Sequence, residues 1–389
     1  MRTENIHRFM KSLKIILKFL LLLLVGMIAG LLIGGCIAVL FTDASFKDYI
    51  EKFASIGFIE VAGAFFVGVA GLVVSVGVLV PLHEVGHLVC GLLSGYRFVS
   101  FRIFNLTFLR EDGHIRVKRF AVAGTGGQCL LCPPDRPLAD IPSAWYNMGG
   151  VLANILALLA VLPLLWADVD PFVSEFVFMF VIVDLFLIIT NGIPMTINGF
   201  GNDAYNMRLL RRSELSKRGM VVQLRSNAMI QAGVRPRDMP AEWFVADGDV
   251  DYHNPLEACI PIMAASRLTD MERWEDAYVA FSDLYGRRDV IMPLYVKEIA
   301  CELAYAAMIT GRIGEARALL DDDLMKYVHT YSKVMSSKLR LLCAVELYIN
   351  DDRGAAVAIY EHLHADSGRY LLQGEVRSDL DLMKSMLFK

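Results

Sequence analysis

The sequence predicts a mainly α-helical protein: a polytopic membrane bundle of about four spans with a small β-hairpin insertion, followed by a cytosolic α-helical repeat domain. Hydrophobic residues make up 55% of the 389 residues, above the roughly 45–50% of globular proteins, and the excess lies before residue 200. Four apolar stretches reach the roughly 20 residues that a membrane-crossing helix needs. They lie near residues 17–41, 56–80, 144–166 and 173–194, and the second continues to about residue 94.

The first apolar stretch is predicted to be a membrane anchor. Five basic residues lie between Met1 and Lys18, as in a secretory signal, but the apolar run is long for a cleaved peptide. The segment Ile33-Gly34-Gly35-Cys36 loosely resembles a lipoprotein cleavage site. Because apolar residues continue past it to Phe41, we favour the anchor.

The distribution of basic residues predicts the orientation. Lys and Arg are concentrated in the N-terminal segment, in the loop 97–136 and in the stretch 208–218, whereas 41–55 and 167–171 carry few. Basic loops stay on the cytoplasmic side of a membrane. We therefore expect a multi-pass protein of the bacterial cell membrane with both termini in the cytoplasm.

The second stretch contains His83-Glu84-Val85-Gly86-His87. On an α-helix the two histidines are one turn apart on the same face, so both imidazoles can bind one zinc ion while Glu84 faces the water on the ion. The same pattern also occurs by chance on soluble helices. In an apolar segment, however, ionisable groups are costly unless they are paired or ligated. We therefore predict Zn²⁺ bound by His83 and His87, with Glu84 as the general base.

Between the second and third spans the pattern changes to the alternation of a β-hairpin. Residues 96–103 and 114–122 alternate in polarity, and Glu111-Asp112-Gly113 supplies a turn signal between them. The Gly-rich segment 124–128 lacks the Gly-Lys-Ser/Thr of a nucleotide loop. We interpret it as a turn or as a close backbone approach to an extended peptide.

Polar residues in and beside the last two spans complete the candidate site. Asn154 lies in the third span, where it either bonds a neighbouring helix or serves the site. Asn191 and Pro194 end the fourth span, and irregular backbone there should be buried or line a cavity. Asp203 follows as a candidate third metal ligand.

Together these segments resemble the site-2 protease group of intramembrane zinc metallopeptidases, peptidase family M50. The family combines a His-Glu-x-x-His helix, a Gly-x-x-x-Asn helix and an Asn-x-x-Pro segment followed by an Asp-Gly ligand motif. The resemblance covers residues 56–206. The matching positions are His83, Glu84, His87, Gly150, Asn154, Asn191 and Pro194.

The Asp-Gly element departs from the commonest form of the family. Asn198-Gly199 stands where the aspartate and glycine are expected. A variant with a longer insertion brings Asp203 to this position, although Ala204 replaces the glycine. We favour Asp203, because a carboxylate ligates zinc better than an amide does. If neither residue binds, a nonproteolytic descendant becomes credible.

The resemblance implies peptide-bond hydrolysis in or beside the bilayer, with a membrane-tethered protein or peptide as substrate and no nucleic acid involved. Zinc would activate a water, and Glu84 would take its proton and pass it to the leaving amine. Asn154 and Asn191 would hold the extended substrate or polarise its carbonyl group.

The chain is predicted to comprise a membrane-embedded metalloprotease domain (1–205), a basic juxtamembrane helix and linker (206–254), and a soluble helical domain (255–389). In the last part, Ala-centred motifs begin at Trp274, Ile313 and Arg353, about 39 to 40 residues apart. They resemble a degenerate tetratricopeptide array, whose period is nearer 34; an unrepeated bundle is the alternative. Either form could bind a protein partner.

Two other functions and one cysteine pair remain open. A catalytically degenerate membrane adaptor would use its helical repeats to bind partners, and a cation transporter would need more polar spans than this sequence offers. Among the seven cysteines, only Cys129 and Cys132 have ligand-like spacing. Without a second such pair, ordinary thiols are favoured over a redox or second-metal role.

Overall fold

A computed structural model of the chain describes residues 57–111, 114–119, 126–197, 199–246 and 248–388, with a few isolated positions before residue 57. The first predicted span lies almost entirely outside the described residues, as do the turn residues Asp112 and Gly113. The described residues form 13 α-helices and a small four-stranded sheet. The prediction of a mainly α-helical protein is confirmed.

Three helices are long and apolar enough to cross a membrane: α1 (Phe58–Leu93), α2 (Ser143–Val161) and α3 (Pro171–Gly192). They correspond to the second, third and fourth apolar stretches. Helix α1 runs unbroken through Pro81 into the His-Glu-x-x-His motif, as the sequence predicted.

The chain divides into two compact units, and the division passes through α1 and α3. The first unit comprises residues 1–70 and 170–176, and its described part consists mainly of the first turns of these two helices, where Gly63 lies beside the ring of Phe172. The second unit comprises residues 71–169 and 177–389. It contains the motif, the sheet and all later helices.

Four antiparallel strands follow α1: β1 (Arg97–Ile103), β2 (Leu106–Glu111), β3 (His114–Arg119) and β4 (Gly127–Cys132), in the order β3-β2-β1-β4. The predicted single hairpin is therefore wrong. The chain already reverses at Phe104, which adopts a left-handed φ of +51°, so residues 106–111 form an extra strand between the two predicted ones. The Gly-rich segment ends in the edge strand β4.

After α3 a two-stranded hairpin, β5 (Thr196–Ile197) and β6 (Phe200–Gly201), leads into α4 (Asp203–Arg212) and α5 (Glu214–Gln231). One apolar cluster joins the sheet to these two helices, including Tyr96, Phe101, Met207 and Met220. The predicted domain boundary at residue 205 stays a prediction.

Residues 255–388, which the structure describes in full, form eight α-helices: α6 (Pro255–Asp270), α7 (Trp274–Gly286), α8 (Pro293–Ile309), α9 (Ile313–Leu319), α10 (Asp322–Tyr331), α11 (Ser336–Tyr348), α12 (Arg353–Ala365) and α13 (Gln373–Phe388). The alanines of the three recurring motifs, Ala277, Ala316 and Ala356, are each the fourth residue of a helix and are fully buried. These positions tolerate only small side chains at helix contacts. The tetratricopeptide-like array itself stays a prediction.

Candidate metal centre

Three side chains from α1 and α4 converge on one point. Nε2 of His83 lies 3.1 Å from Oδ2 of Asp203, and Nε2 of His87 lies 3.3 Å from the same oxygen. The two Nε2 atoms are 3.2 Å apart. The structure thus brings together the three residues that the sequence proposed as ligands.

Both histidines present Nε2 to this point because their Nδ1 atoms are engaged elsewhere. Nδ1 of His87 lies 2.7 Å from the carbonyl oxygen of Tyr146, which only accepts, so this nitrogen carries the proton. Nδ1 of His83 lies 2.7 Å from Oδ1 of Asn154. A neutral imidazole that donates through Nδ1 keeps its lone pair on Nε2, the arrangement typical of metal-binding histidines.

The geometry of these three atoms fits a tetrahedral metal ion. Three converging acceptors repel one another unless a metal ion or an extra proton lies among them. Ligand atoms bound at about 2.0–2.1 Å in tetrahedral geometry are about 3.3 Å apart, close to the 3.1–3.3 Å found here. His83, His87 and Asp203 could therefore hold a metal ion.

Asn154 links His83 to a buried carboxylate on α3. Its Nδ2 donates to Oδ1 of Asp184 at 2.8 Å, and both residues are fully buried. The carboxylate therefore fixes the amide so that its oxygen faces His83. The expectation that Asn154 bonds a neighbouring helix is borne out, while its role in holding substrate or polarising a carbonyl stays a prediction.

Helices α1 and α2 approach so closely that only glycine fits between them. A Cβ on Gly86 would lie 2.3 Å from the carbonyl oxygen of Gly149, and one on Gly149 would lie 2.9 Å from Cα of His87. A Cβ on Gly150 would lie 2.4 Å from Nε2 of His83. These contacts exclude side chains at positions 86, 149 and 150, and they give the ring of His83 its space.

Gly150→Ala is expected to weaken metal binding about 10- to 100-fold, the range found when support of a ligand is lost. The new methyl group would displace the ring of His83 from both Asn154 and Asp203. Competition with a chromogenic chelator measures the affinity. Gly77→Ala on α1 is the matched control, because its Cβ would meet no described atom within 4 Å. Unchanged affinity in Gly150→Ala would contradict this packing.

The third candidate ligand is positioned by its neighbour Asn202, to which the sequence assigned no role. Nδ2 of Asn202 donates to the carbonyl oxygens of Thr190 and Ile193, each at 2.6 Å. Its Oδ1 accepts from the backbone N–H of Tyr205 at 2.8 Å and so caps α4. The end of α3 and the start of α4 are thereby tied together across the hairpin.

The environment of Asp203 keeps its carboxylate charged. Burial alone would raise its pKa, but hydrogen bonds with His83 and His87 outweigh burial and lower the pKa to about 2. The side chain is 20% exposed, but its Oδ2 atom, which faces the two histidines, is buried. A carboxylate that stays charged in a buried position suits a metal ligand.

Glu84 faces the first residue of the edge strand. A Cβ on Gly127 would lie 2.4 Å from Cγ and 2.6 Å from Oε1 of Glu84, so bare backbone approaches the carboxylate. Arg102 on β1 is buried and donates to the carbonyl oxygens of Gly127 at 3.1 Å and Phe104 at 3.0 Å. Burial lowers the pKa of Arg102, and the charge of Glu84 opposes this. The sheet therefore places a cation and a strand edge beside the candidate base.

The other sequence candidates have separate placements. Asn191 is half-buried and donates to the carbonyl oxygen of Leu187 at 3.0 Å; its role in substrate binding stays a prediction. Asn198 lies outside the described residues. Cys129 and Cys132 are both free thiols, and their spacing on β4 sends them to opposite faces of the sheet, so they do not form a ligand pair.

Comparisons with family models, curated proteins and solved structures find no match to this chain. The candidate centre therefore rests on its own geometry. Two of its residues were missed in the sequence: Asp184, although a carboxylate in an apolar span signals function, and Asn202, although asparagine before a helix signals a cap.

Proposed function

We propose that the protein is an intramembrane zinc metalloprotease that hydrolyses peptide bonds of membrane-tethered proteins or peptides within or beside the bilayer. The observation that carries this proposal is the convergence of His83, His87 and Asp203 at a helix long and apolar enough to cross a membrane. Two imidazoles and one carboxylate with an open fourth position form the donor set of a catalytic zinc site. Glu84 adjoins His83 in the chain and is available as a base.

His83, His87 and Asp203 would hold the zinc ion, which would supply a Lewis acid. Glu84 would accept a proton from the attacking water and pass it to the leaving amine. Asn154 and Asp184 hold the ring of His83 so that Nε2 faces the centre. Arg102, buried on β1, places a positive charge near Glu84.

The sheet provides a place for an extended substrate. A membrane helix hides its peptide bonds, so a substrate must unwind before attack. Strand β4 is an edge of the sheet, and its first residue, Gly127, meets Glu84. An unwound segment that pairs with this edge would pass beside the candidate base.

The location follows the same reasoning. The three apolar helices support membrane association, and the basic loops favour the cytoplasmic side for both termini. Residues 255–389 would then face the cytoplasm, where they bind a protein partner or the substrate.

New N-termini in host-cell membranes test the proposal. Membranes with the wild-type chain should gain N-termini within or beside membrane spans, and membranes with Glu84→Gln should not. Chelation should stop their formation and added zinc should restore it. Labelling of free α-amines followed by mass spectrometry measures them.

The adaptor alternative makes the opposite prediction. If the wild-type chain binds zinc and no new N-termini form under any condition, the protease proposal fails. Partners that bind equally to wild-type and Glu84→Gln chains would then favour the adaptor.

A further inference from the structure

We infer that α4, with the ends of α2 and α3, forms a binding site for the head group of an anionic phospholipid. A cavity of about 520 Å³ lies beside α4. Its lining residues are Met148, Pro194, Ala204, Met207, Arg208, Arg211 and Arg212. This site is separate from the metal centre and does not depend on the proposed protease activity.

One face of α4 is basic. Arg208, Arg211 and Arg212 follow the i, i+3, i+4 spacing that places residues on one side of a helix. All three side chains are exposed, and no described residue forms a hydrogen bond or ion pair with them. Three guanidinium groups that share one cavity without carboxylate partners match a phosphate, which arginine binds in a bidentate manner.

The rest of the cavity wall is apolar. Met148 comes from α2, Pro194 follows α3, and Ala204 and Met207 belong to the buried side of α4. A soluble phosphate ester has no apolar part to bury against this wall. In a lipid, the wall would cover the glycerol and the first acyl carbons. A cavity lined by arginines on one side and by apolar residues on the other therefore favours a phospholipid over a soluble anion.

The position of α4 along the membrane helices supports this ligand. Asn202 bonds the carbonyl oxygens of Thr190 and Ile193 in the last turn of α3 and just after it, so the first turn of α4 starts at the level where that span ends. Basic residues at this level meet the lipid head groups. The inference holds for either orientation of the protein in the membrane.

The lipid would also affect the metal centre, because the first residue of α4 is Asp203. A head group bound by the arginines would contact the exposed side of α4. The opposite side, with Ala204 and Met207, is already packed in the protein interior. Occupancy of the cavity would therefore restrict movement of the Asp203 carboxylate. Neutral lipids lack the charge that this contact needs.

Native mass spectrometry of the full-length chain in detergent, titrated with phosphatidylglycerol or phosphatidylethanolamine, tests the site. The wild-type chain should bind phosphatidylglycerol more tightly. One basic residue near an anionic lipid strengthens binding about fivefold, so Arg208→Gln/Arg211→Gln/Arg212→Gln should weaken it on the order of 100-fold. The matched control removes three exposed arginines elsewhere, Arg287→Gln/Arg288→Gln/Arg369→Gln, and should bind like wild type.

Replacement of the three cavity arginines by lysine separates lost charge from lost folding, because lysine keeps the charge but not the bidentate geometry, so this variant should bind more tightly than the glutamine variant and less tightly than wild type. Three results would overturn the inference: equal binding of the two lipids by the wild-type chain, unchanged phosphatidylglycerol binding in the glutamine variant, or complete displacement of the lipid by millimolar glycerol phosphate. The last result would show that a free phosphate ester suffices. None of these readouts requires protease activity or bound metal.

Discussion

His87→Ala should reduce bound zinc from about one ion per chain to nearly none. The substitution removes Nε2 of His87, which lies 3.2 Å from Nε2 of His83 and 3.3 Å from Oδ2 of Asp203. Only two of the three converging ligand atoms then remain. The loss should exceed the 10- to 100-fold effect of a supporting residue. Elemental analysis of protein purified in detergent measures the stoichiometry.

The matched control for this experiment is His329→Ala, which removes an exposed histidine from α10 and should leave zinc unchanged. Asp203→Ala should behave like His87→Ala, whereas Asn198→Ala should keep the metal. Full zinc retention in His87→Ala would refute the centre. Zinc loss in Asn198→Ala but not in Asp203→Ala would show that Asn198, and not Asp203, is the third ligand.

Glu84→Gln should keep the zinc but lower cleavage by roughly 10²- to 10⁴-fold, the contribution of a positioned acid–base group. The amide has nearly the same shape as the carboxylate and fits against Gly127, but it cannot accept a proton. The measurement compares cleavage rate and zinc content for the same preparation, with a substrate found by N-terminal labelling.

A glutamate on the same helix provides the control for this second experiment. Glu60 is exposed in the first turn of α1, so Glu60→Gln should change neither quantity. A normal rate in Glu84→Gln would exclude Glu84 as the base. Loss of both rate and zinc would instead make Glu84 a structural part of the metal centre.

The sequence predicted the components of the centre that depend on local periodicity. One helical turn places His83 beside His87, and apolar length marks the helix that carries them. Asp203 was preferred to Asn198 because of ligand chemistry, and the structure places its carboxylate 3.1 Å from His83. These inferences needed no knowledge of tertiary contacts.

Contacts between distant segments were not predictable in the same way. The sequence indicates that Asn154 is polar and intramembrane, but its placement between His83 and Asp184 depends on how α1, α2 and α3 pack. The approach of Gly127 to Glu84 likewise depends on strand order. The extra strand at residues 106–111 was missed because the turn at Phe104 has no glycine, asparagine or proline at its left-handed position.

The origin of the three ligand atoms has a consequence for the biogenesis of the protein. His83 and His87 lie on α1, whereas Asp203 is synthesised only after α2 and α3. A nascent chain that ends after α1 therefore holds only two of the three candidate ligands. Since synthesis proceeds from the N-terminus, all three candidate ligands are present only after the chain has been synthesised through Asp203. An enzyme of the kind proposed would thus remain inert toward neighbouring nascent proteins during its own insertion.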